Sequence, residues 1–599
     1  MGSSCCHSDH LFTGRIIARA CPETPYSAAI PEFRLQTIHG SSGYLSVALL
    51  VLHSFRSKFW NLATKEGFWT CSRRYALGKK SVIGQDKKMA LFFDQKKYAF
   101  LAFFSGFVVM ATELIATRVI APYIGVSIFT WTTIISTILL GISVGNYAGG
   151  RLADRGAPFA KFLIIGSLFI AAIPLLARLI PFIATLNLGL VSISLLAASL
   201  LFLGPAILLG TMYPFILRHS LVSRGLEHAG EHTGLLSGLA ALGSIVGTLM
   251  TGFFFIGFLG TSLSLHILAL LLFLSSLWFG KIVSKQTILG IAILGMLILA
   301  YYIFPFSRGS ATLSETESTY YKITVLERMY GSHPSRMLFL DFDSHSIESM
   351  DGARMGTYQD ISPVFKVFRK DLRRILTIGS GSYNIAKDLF RLYHADITAV
   401  EIDPQVTETA RRFFDLDSYP FRTVNTDGRF YLETNKDTYD LIFGDAFNSF
   451  ISMPWYLATK EAIYAAKTRL NPGGIYALDI ISALTGPQAQ LFESVAKTFS
   501  LVFPNYYMIA LGGDQNFQQS IILVGINSDT RIDEKKLAYE LAHLMKESDS
   551  HIQARYQYQP PLPNDAIILT DDYAPVERLN ASLIQAYLPL YTRWFYSIL

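Results

Sequence analysis

The chain has 599 residues, of which 51% are apolar and only 16% charged, with a formal net charge of +6. So low a charged fraction, against roughly 25% in soluble domains, excludes a wholly water-soluble chain, and the small scattered positive charge gives no case for a nucleic-acid partner. All four cysteines, Cys5, Cys6, Cys21 and Cys71, precede residue 72, so no disulfide or thiolate metal site is expected beyond them.

Residues 1–88 show no sustained hydrophobic period and none of the ordered regions of a signal peptide. The text changes at Met89, where MALFFDQKKYAFLAFF runs straight into an apolar stretch. Met89 is therefore expected to be the functional start, and 1–88 a disordered or upstream extension.

Residues 89–305 read as a transmembrane helical domain, because a span needs roughly 20 mostly apolar residues. Seven stretches qualify: 98–120, 127–148, 160–182, 186–217, 234–259, 262–280 and 285–304. The fourth is long and carries Pro205 and Pro214, which predicts a kink or a partly re-entrant path. Glycines at four-residue spacing (Gly141, Gly145 and Gly149; Gly234 and Gly238; Gly243 and Gly247) predict close helix packing. Glu113, Arg118 and Asn146 are polar residues inside spans, read as links holding the bundle together rather than a translocation path. Lys96, Lys97, Arg151, Arg155, Lys161, Arg218, Arg224, Lys281 and Lys285 cluster at alternate span ends, which the positive-inside rule assigns to the cytoplasm.

Beyond residue 308 the composition is that of a soluble domain. ITVLER (323–328) and MLFLDF (337–342) predict a small β unit within 309–372. In 373–530, strands at 374–379, 397–402, 439–446 and 475–480 alternate with helices at 384–393, 404–414, 456–469 and 487–499. That alternation predicts an α/β doubly wound, methyltransferase-like Rossmann sheet, with an antiparallel hairpin (505–511 and 519–525) at its edge. Residues 531–599 are left as a C-terminal extension.

Ligands of such sheets bind at the carboxyl ends of the strands. There the sequence places Gly379 and Gly381 in a turn opening a helix, and Glu401 22 residues after Gly379, the spacing of a ribose-binding carboxylate. Asp427 follows the next strand and Asp445 the one after. Four successive strand ends bearing a glycine turn or a carboxylate predict a nucleoside pocket.

The segments LTIGSGSYNIAKDL (376–389), AVEIDPQV (399–406), TDGRFYL (426–432), DLIFGDAFN (440–448) and TYQD (357–360) resemble the polyamine aminopropyltransferase (spermidine synthase) family. ELIATRVIAPYIG (113–125), GNYAGGRLADR (145–155) and ILTDDYAPVERL (568–579) resemble its membrane-fused subgroup. The resemblance implies transfer of an aminopropyl group from decarboxylated S-adenosylmethionine to a polyamine such as putrescine, by a multi-pass protein of the cell membrane. It further implies that Glu401 takes the ribose hydroxyls, Asp427 the adenine amino group, and Asp445 the role of general base. Tyr358, Gln359 and Asn448 would line the amine site. A sulfonium donor is already activated, so no metal is expected; self-association of the chain stays open.

Three positions depart from the family pattern: Ser382 and Asn448 stand where it has Asp, and His345 where it has Gln. They leave the nucleoside pocket better matched than the amine pocket, and keep two alternatives open. One is an S-adenosylmethionine-dependent methyltransferase. The other is a non-catalytic polyamine transporter or sensor, since GRLADR (150–155) also resembles a cytoplasmic loop of major-facilitator transporters. Seven spans and the basic clusters place the soluble domain outside, whereas an intracellular donor places it inside. These two expectations oppose each other.

Overall fold

The computed structural model describes residues 83–598 except 187, 225–228, 280–283, 304–310, 353–354, 356–357, 447–452, 513, 530 and 548–554. Most of the expected 1–88 extension lies outside the described residues. Its last part does not: helix α1 (Ile83–Ile124) begins before Met89.

Among the described residues, six helical runs are long and apolar enough to cross a membrane, rather than the seven expected. They are Lys96–Ile124 within α1, α2 (Ile128–Asp154), α3 (Phe159–Ala184), α4 (Leu190–Val222), α5 (Ala229–Ser276) and α6 (Lys285–Ile303). The difference lies in α5, where the stretches expected at 234–259 and 262–280 run on as one path of 48 residues. At 1.5 Å per residue that is about 72 Å, too long for one crossing. Gly260, with φ +73°, breaks it, a backbone that any β-carbon would strain. The Ser264 hydroxyl then reaches the Phe255 carbonyl at 3.3 Å, so the chain folds back there. In α4 a π-helical stretch, Ser199–Leu203, precedes Pro205, and the run is continuous rather than re-entrant.

The glycine faces divide. A β-carbon on Gly141, Gly145 or Gly149 would collide with α4 around Ala206–Thr211, and one on Gly243 or Gly247 with the backbone of Phe103 or Phe107. These glycines let helices approach to backbone contact. Gly234 and Gly238 face open space and pack nothing. Asn146 is exposed on α2 and links no helices.

The rest of the chain forms two sheets. Strands β1 (Thr312–Glu317), β2 (Lys322–Tyr330), β3 (His333–Leu340) and β4 (Asp343–Ser349) make an antiparallel meander. The larger sheet contains β5 (Arg374–Ile378), β6 (Asp396–Glu401), β7 (Arg422–Asn425), β8 (Tyr439–Gly444), β9 (Leu470–Ser482), β10 (Tyr506–Ala510), β11 (Gln519–Ile526) and β12 (Arg555–Tyr558). Its order is β12-β10-β11-β9-β8-β5-β6-β7, with β5 to β9 paired parallel and the β9–β11, β11–β10 and β10–β12 pairings antiparallel. The expected hairpin is β10–β11, but it is not the edge: β12, from the C-terminal extension, pairs outside it.

One apolar core joins helices and sheets. Met337 and Phe339 of the small sheet, Phe342 of its β3–β4 turn, and Leu583, Ile584 and Leu588 of the last helix (Val576–Ile598) are buried in the same cluster as the bundle. Polar links reinforce it. Glu317 accepts the Thr261 N–H at 2.5 Å, satisfying a donor at the start of the second half of α5. The Arg118 guanidinium donates to the Tyr320 carbonyl. At the opposite end of the bundle, the Lys97 ammonium donates to the Trp278 carbonyl at 2.7 Å, and Arg218 pairs with Asp154 at 3.1 Å.

Candidate functional site

Parallel pairing brings the carboxyl ends of β5, β6, β7 and β8 to one edge, and the expected residues meet there. Gly379 follows β5 with φ +80°, and a β-carbon on it would run into the backbone of Asp445. The turn lies flat against the end of β8 because nothing larger than glycine fits, and the Asp445 N–H donates to the Ile378 carbonyl at 2.8 Å.

Glu401 ends β6 and is 6% exposed. One carboxylate oxygen accepts the Ser380 N–H at 3.0 Å, the other the Asp403 N–H at 3.1 Å. Burial pushes its carboxyl up to about 7, against the pull of those N–H groups. The Gly381 N–H pulls on it as well, and a carboxylate with about four acceptor sites keeps capacity for ligand hydroxyls. Asp403 caps the helix Pro404–Phe413 through the Gln405 N–H at 2.9 Å and accepts the Ser318 hydroxyl from the β1–β2 turn.

Asp427 has a local duty as well. It caps the helix Gly428–Thr434, accepting the Phe430 N–H at 2.9 Å, while its second oxygen accepts the Tyr456 hydroxyl at 3.0 Å. Burial, and then the Asp427 charge, raise that phenol above its ordinary range.

Asp445 leaves β8 half-buried, and a second carboxylate stands near it. Asp479, buried in the middle of β9, is held well above the usual carboxylate range by its burial first and by the charge of Asp445 next. It accepts the Ile480 N–H at 3.0 Å and the Ser520 hydroxyl at 3.4 Å. Sequence reasoning missed Asp479 because YALDI reads simply as a buried strand.

Ser382 is fully buried and faces the small sheet. Its N–H donates to the Ser346 hydroxyl at 3.1 Å, and its own hydroxyl lies 2.8 Å from Glu348, which pairs with Lys387 at 2.8 Å. The position clamps the glycine turn to β4. Tyr358 and Gln359 begin a short helix (Tyr358–Val364), but their side chains, like all of Asn448, lie outside the described residues.

Gly379, Gly381, Glu401, Asp427, Asp445 and Tyr456 line one cavity of about 340 Å³. That volume lies in the range of roughly 300–1,000 Å³ usual for small-molecule sites. His345 and Asp341 line it too, and burial pushes the Asp341 carboxyl up to about 6. Thr117, Arg118, Gly125, Val126 and Trp131, from α1, α2 and the loop between them, complete the wall. Hydrophobic patterning does not signal this contribution, and Arg118 was expected to stabilise the bundle with Glu113. Among the described residues the two form no ion pair; Arg118 turns to the sheets instead.

Residues 356–524 match the family described as the spermine/spermidine synthase domain. The chain is 26% identical over 262 residues to a probable polyamine aminopropyl transferase of Bifidobacterium longum, covering 41% of this chain and 57% of that protein. The chain thus spans little more than half of that relative's length. It is 21% identical over 424 residues to polyamine aminopropyltransferase 2 of Aquifex aeolicus, covering 66% and 81% respectively. A crystal structure of a probable spermidine synthase from Corynebacterium glutamicum is 19% identical and aligns over 44% of this chain and 97% of its own, with a TM-score of 0.38.

Proposed function

We propose that this chain, a member of the spermine/spermidine synthase family through residues 356–524, is a membrane-spanning aminopropyltransferase. The donor is decarboxylated S-adenosylmethionine and the acceptor a primary amine, putrescine being the first to try. The observation that carries this reading is the shared cavity of Gly379, Gly381, Glu401, Asp427 and Asp445.

Glu401 takes the ribose hydroxyls, for which its buried carboxylate keeps acceptor capacity. Asp427 takes the adenine amino group, and the flat turn at Gly379 lets the backbone approach the nucleoside. Asp445 is the general base, with Tyr358, Gln359 and Asn448 on the amine side. An amine of ordinary pKa near 10 arrives protonated and must lose a proton before it attacks, which gives the carboxylate its task. The amine nitrogen then forms a bond to the aminopropyl carbon as the carbon–sulfur bond breaks. That electron pair neutralises the sulfonium, methylthioadenosine leaves, and the proton passes through Asp445 to water. Holding nitrogen and carbon in line supplies much of the acceleration.

Methyl transfer from ordinary S-adenosylmethionine is the second reading, favoured by one observation. Ser382 is tied to Glu348 and presents no carboxylate to the aminopropyl amine. Mass spectrometry of products from the purified full chain, offered each donor with a panel of amines, separates the two. Aminopropylated amine and methylthioadenosine are expected; methylated product would overturn the proposal.

A further inference from the structure

Two carboxyl groups stand side by side where the large sheet meets the cavity. Strand β8 pairs parallel with β9, Phe443 opposite Ala477 and Gly444 opposite Leu478. The Asp445 N–H still donates to the Ile378 carbonyl of β5, so the backbone carries the ladder one residue past Gly444. The next pair in register is Asp445 beside Asp479, on strands about 4.8 Å apart. Side chains alternate between the two faces of a strand. Phe443 and Ala477 belong to one apolar cluster, so Asp445 and Asp479, two residues further on, share that face.

Their surroundings differ. Asp445 lines the cavity, whereas Asp479 is 2% exposed and stands behind it in the sheet. Asp479 accepts the Ile480 N–H at 3.0 Å and lies 3.4 Å from the Ser520 hydroxyl of β11. It shares its face with Ile522, its register partner on β11, and with Ile361 and Phe365 from the short helices packed there. Tyr507 joins that cluster, its hydroxyl bound to the Ile532 carbonyl at 3.1 Å. The helices against the opposite face of β9 belong to a separate apolar cluster, built with Leu478 and Ile480. Across the cavity stand Glu401, Asp427, Asp341, His345, Tyr456 and Arg118, the last among Asp341, Glu317 and Asp403. Burial and the charge of Asp445 both favour the neutral form of Asp479, because two adjacent carboxyls in so dry and acidic a place do not both ionise.

Resting on the aminopropyl-transfer reading, we propose that Asp479 is a positioning residue for that reaction: it keeps a proton and donates it to Asp445, so that the pair carries one negative charge. The hydrogen bond holds the Asp445 carboxylate from the sheet side and leaves its contacts within the cavity as they are. A donated hydrogen bond favours the ionised form, so Asp445 stays competent as a base to lower pH. When Asp445 takes the ammonium proton both carboxyls are neutral, and that proton leaves to water before the next turnover.

The test compares the purified full chain with Asp479→Asn and Asp479→Leu. The first readout is the infrared carbonyl band of protonated carboxyl groups at pH 8, part of which should vanish in Asp479→Asn. The second is the pH profile of methylthioadenosine release at saturating putrescine with decarboxylated S-adenosylmethionine. In Asp479→Leu the acid limb should move up by about one pH unit, a tenfold loss of rate at a fixed pH on that limb. Asp479→Asn, whose NH2 group still donates, should restore most of it. Methylthioadenosine affinity equal to the parent's in both variants reports an intact donor site. A merely structural role would lower the thermal midpoint without moving the limb. An unchanged infrared band in Asp479→Asn, or an acid limb that stays in place in Asp479→Leu or moves down in either variant, would overturn the proposal and leave aminopropyl transfer standing. A parent that releases no methylthioadenosine would overturn the transfer reading, and this role with it.

Discussion

Glu401→Gln is the substitution that probes the nucleoside site most directly. The parent carboxylate accepts two backbone N–H groups, at 3.0 and 3.1 Å, while 6% exposed. Glutamine keeps one acceptor oxygen and turns an NH2 group towards the other N–H, so one buried donor loses its partner. Of two ribose hydroxyls, one also loses a charged acceptor, which is worth about 1.5–3 kcal/mol. Methylthioadenosine affinity should therefore fall about 10- to 150-fold, measured by calorimetry at pH 8. The pH dependence is a second reading of the same residue. Its folded-state carboxyl titrates at about 7, raised from 4.5 by burial, and ribose binding needs the ionised form. Parent affinity should rise with pH up to about 7 and level off above it, while Glu401→Gln stays flat. The stability sign is opposite. Because the folded value is raised, the carboxyl's contribution to folding is present below 4.5 and is lost as pH climbs through 7. The difference in thermal midpoint between parent and variant should shift against the parent across that window. Equal affinity in the two proteins, or parent affinity independent of pH, would refute the assignment.

Asp445→Asn should lower aminopropyl transfer by about 10²–10⁴ at saturating amine, with partial recovery at high pH where more amine is already neutral. Methylthioadenosine affinity should stay near the parent's; transfer at the parental rate would put the base elsewhere. Gly379→Ala places a β-carbon against the Asp445 backbone at φ +80°, and the left-handed backbone alone costs about 1–3 kcal/mol. A lower thermal midpoint together with a lower turnover is expected. An unchanged midpoint would mean that the turn relaxes freely.

What could be read from the sequence follows from local chemistry. The glycine turn and the carboxylates at 401, 427 and 445 were legible because a parallel sheet delivers every strand end to one edge, so residue type plus strand boundary fixes location. Their existing commitments were not legible. Nothing in AVEIDP tells that Glu401 already holds the Ser380 N–H, or in TDGRF that Asp427 caps a helix and takes the Tyr456 hydroxyl. Long-range partners were also invisible: Arg118 meets Tyr320 across 202 residues of chain, and β12 joins β10 from a segment without strong periodicity. The long α5 path shows the reverse. Composition marked its two apolar stretches correctly, yet the break rests on one backbone angle at Gly260.

The structure sharpens the opposition between charge bias and donor supply. Lys97, Arg151, Arg155, Lys161 and Arg218 belong to the bundle end marked by the Lys97–Trp278 and Arg218–Asp154 contacts. The sheets attach at the other end, where residues 125–127, 185–186 and 188–189 contain no Lys or Arg and the adjoining helix ends carry Arg118 and Arg178. The positive-inside rule weighs short loops of this kind and ignores long folded domains. It therefore assigns the basic end to the cytoplasm and the sheets to the opposite face. Single cysteines test this in a chain whose four native ones, all before residue 72, are replaced by serine. A membrane-impermeant maleimide should label Lys436→Cys, exposed on the sheet domain, in intact cells, and Arg155→Cys only after lysis. That outcome would require the nucleoside donor to be supplied on the non-cytoplasmic face. The reverse pattern would sink the charge argument and put Glu401 and Asp445 in direct reach of an intracellular donor.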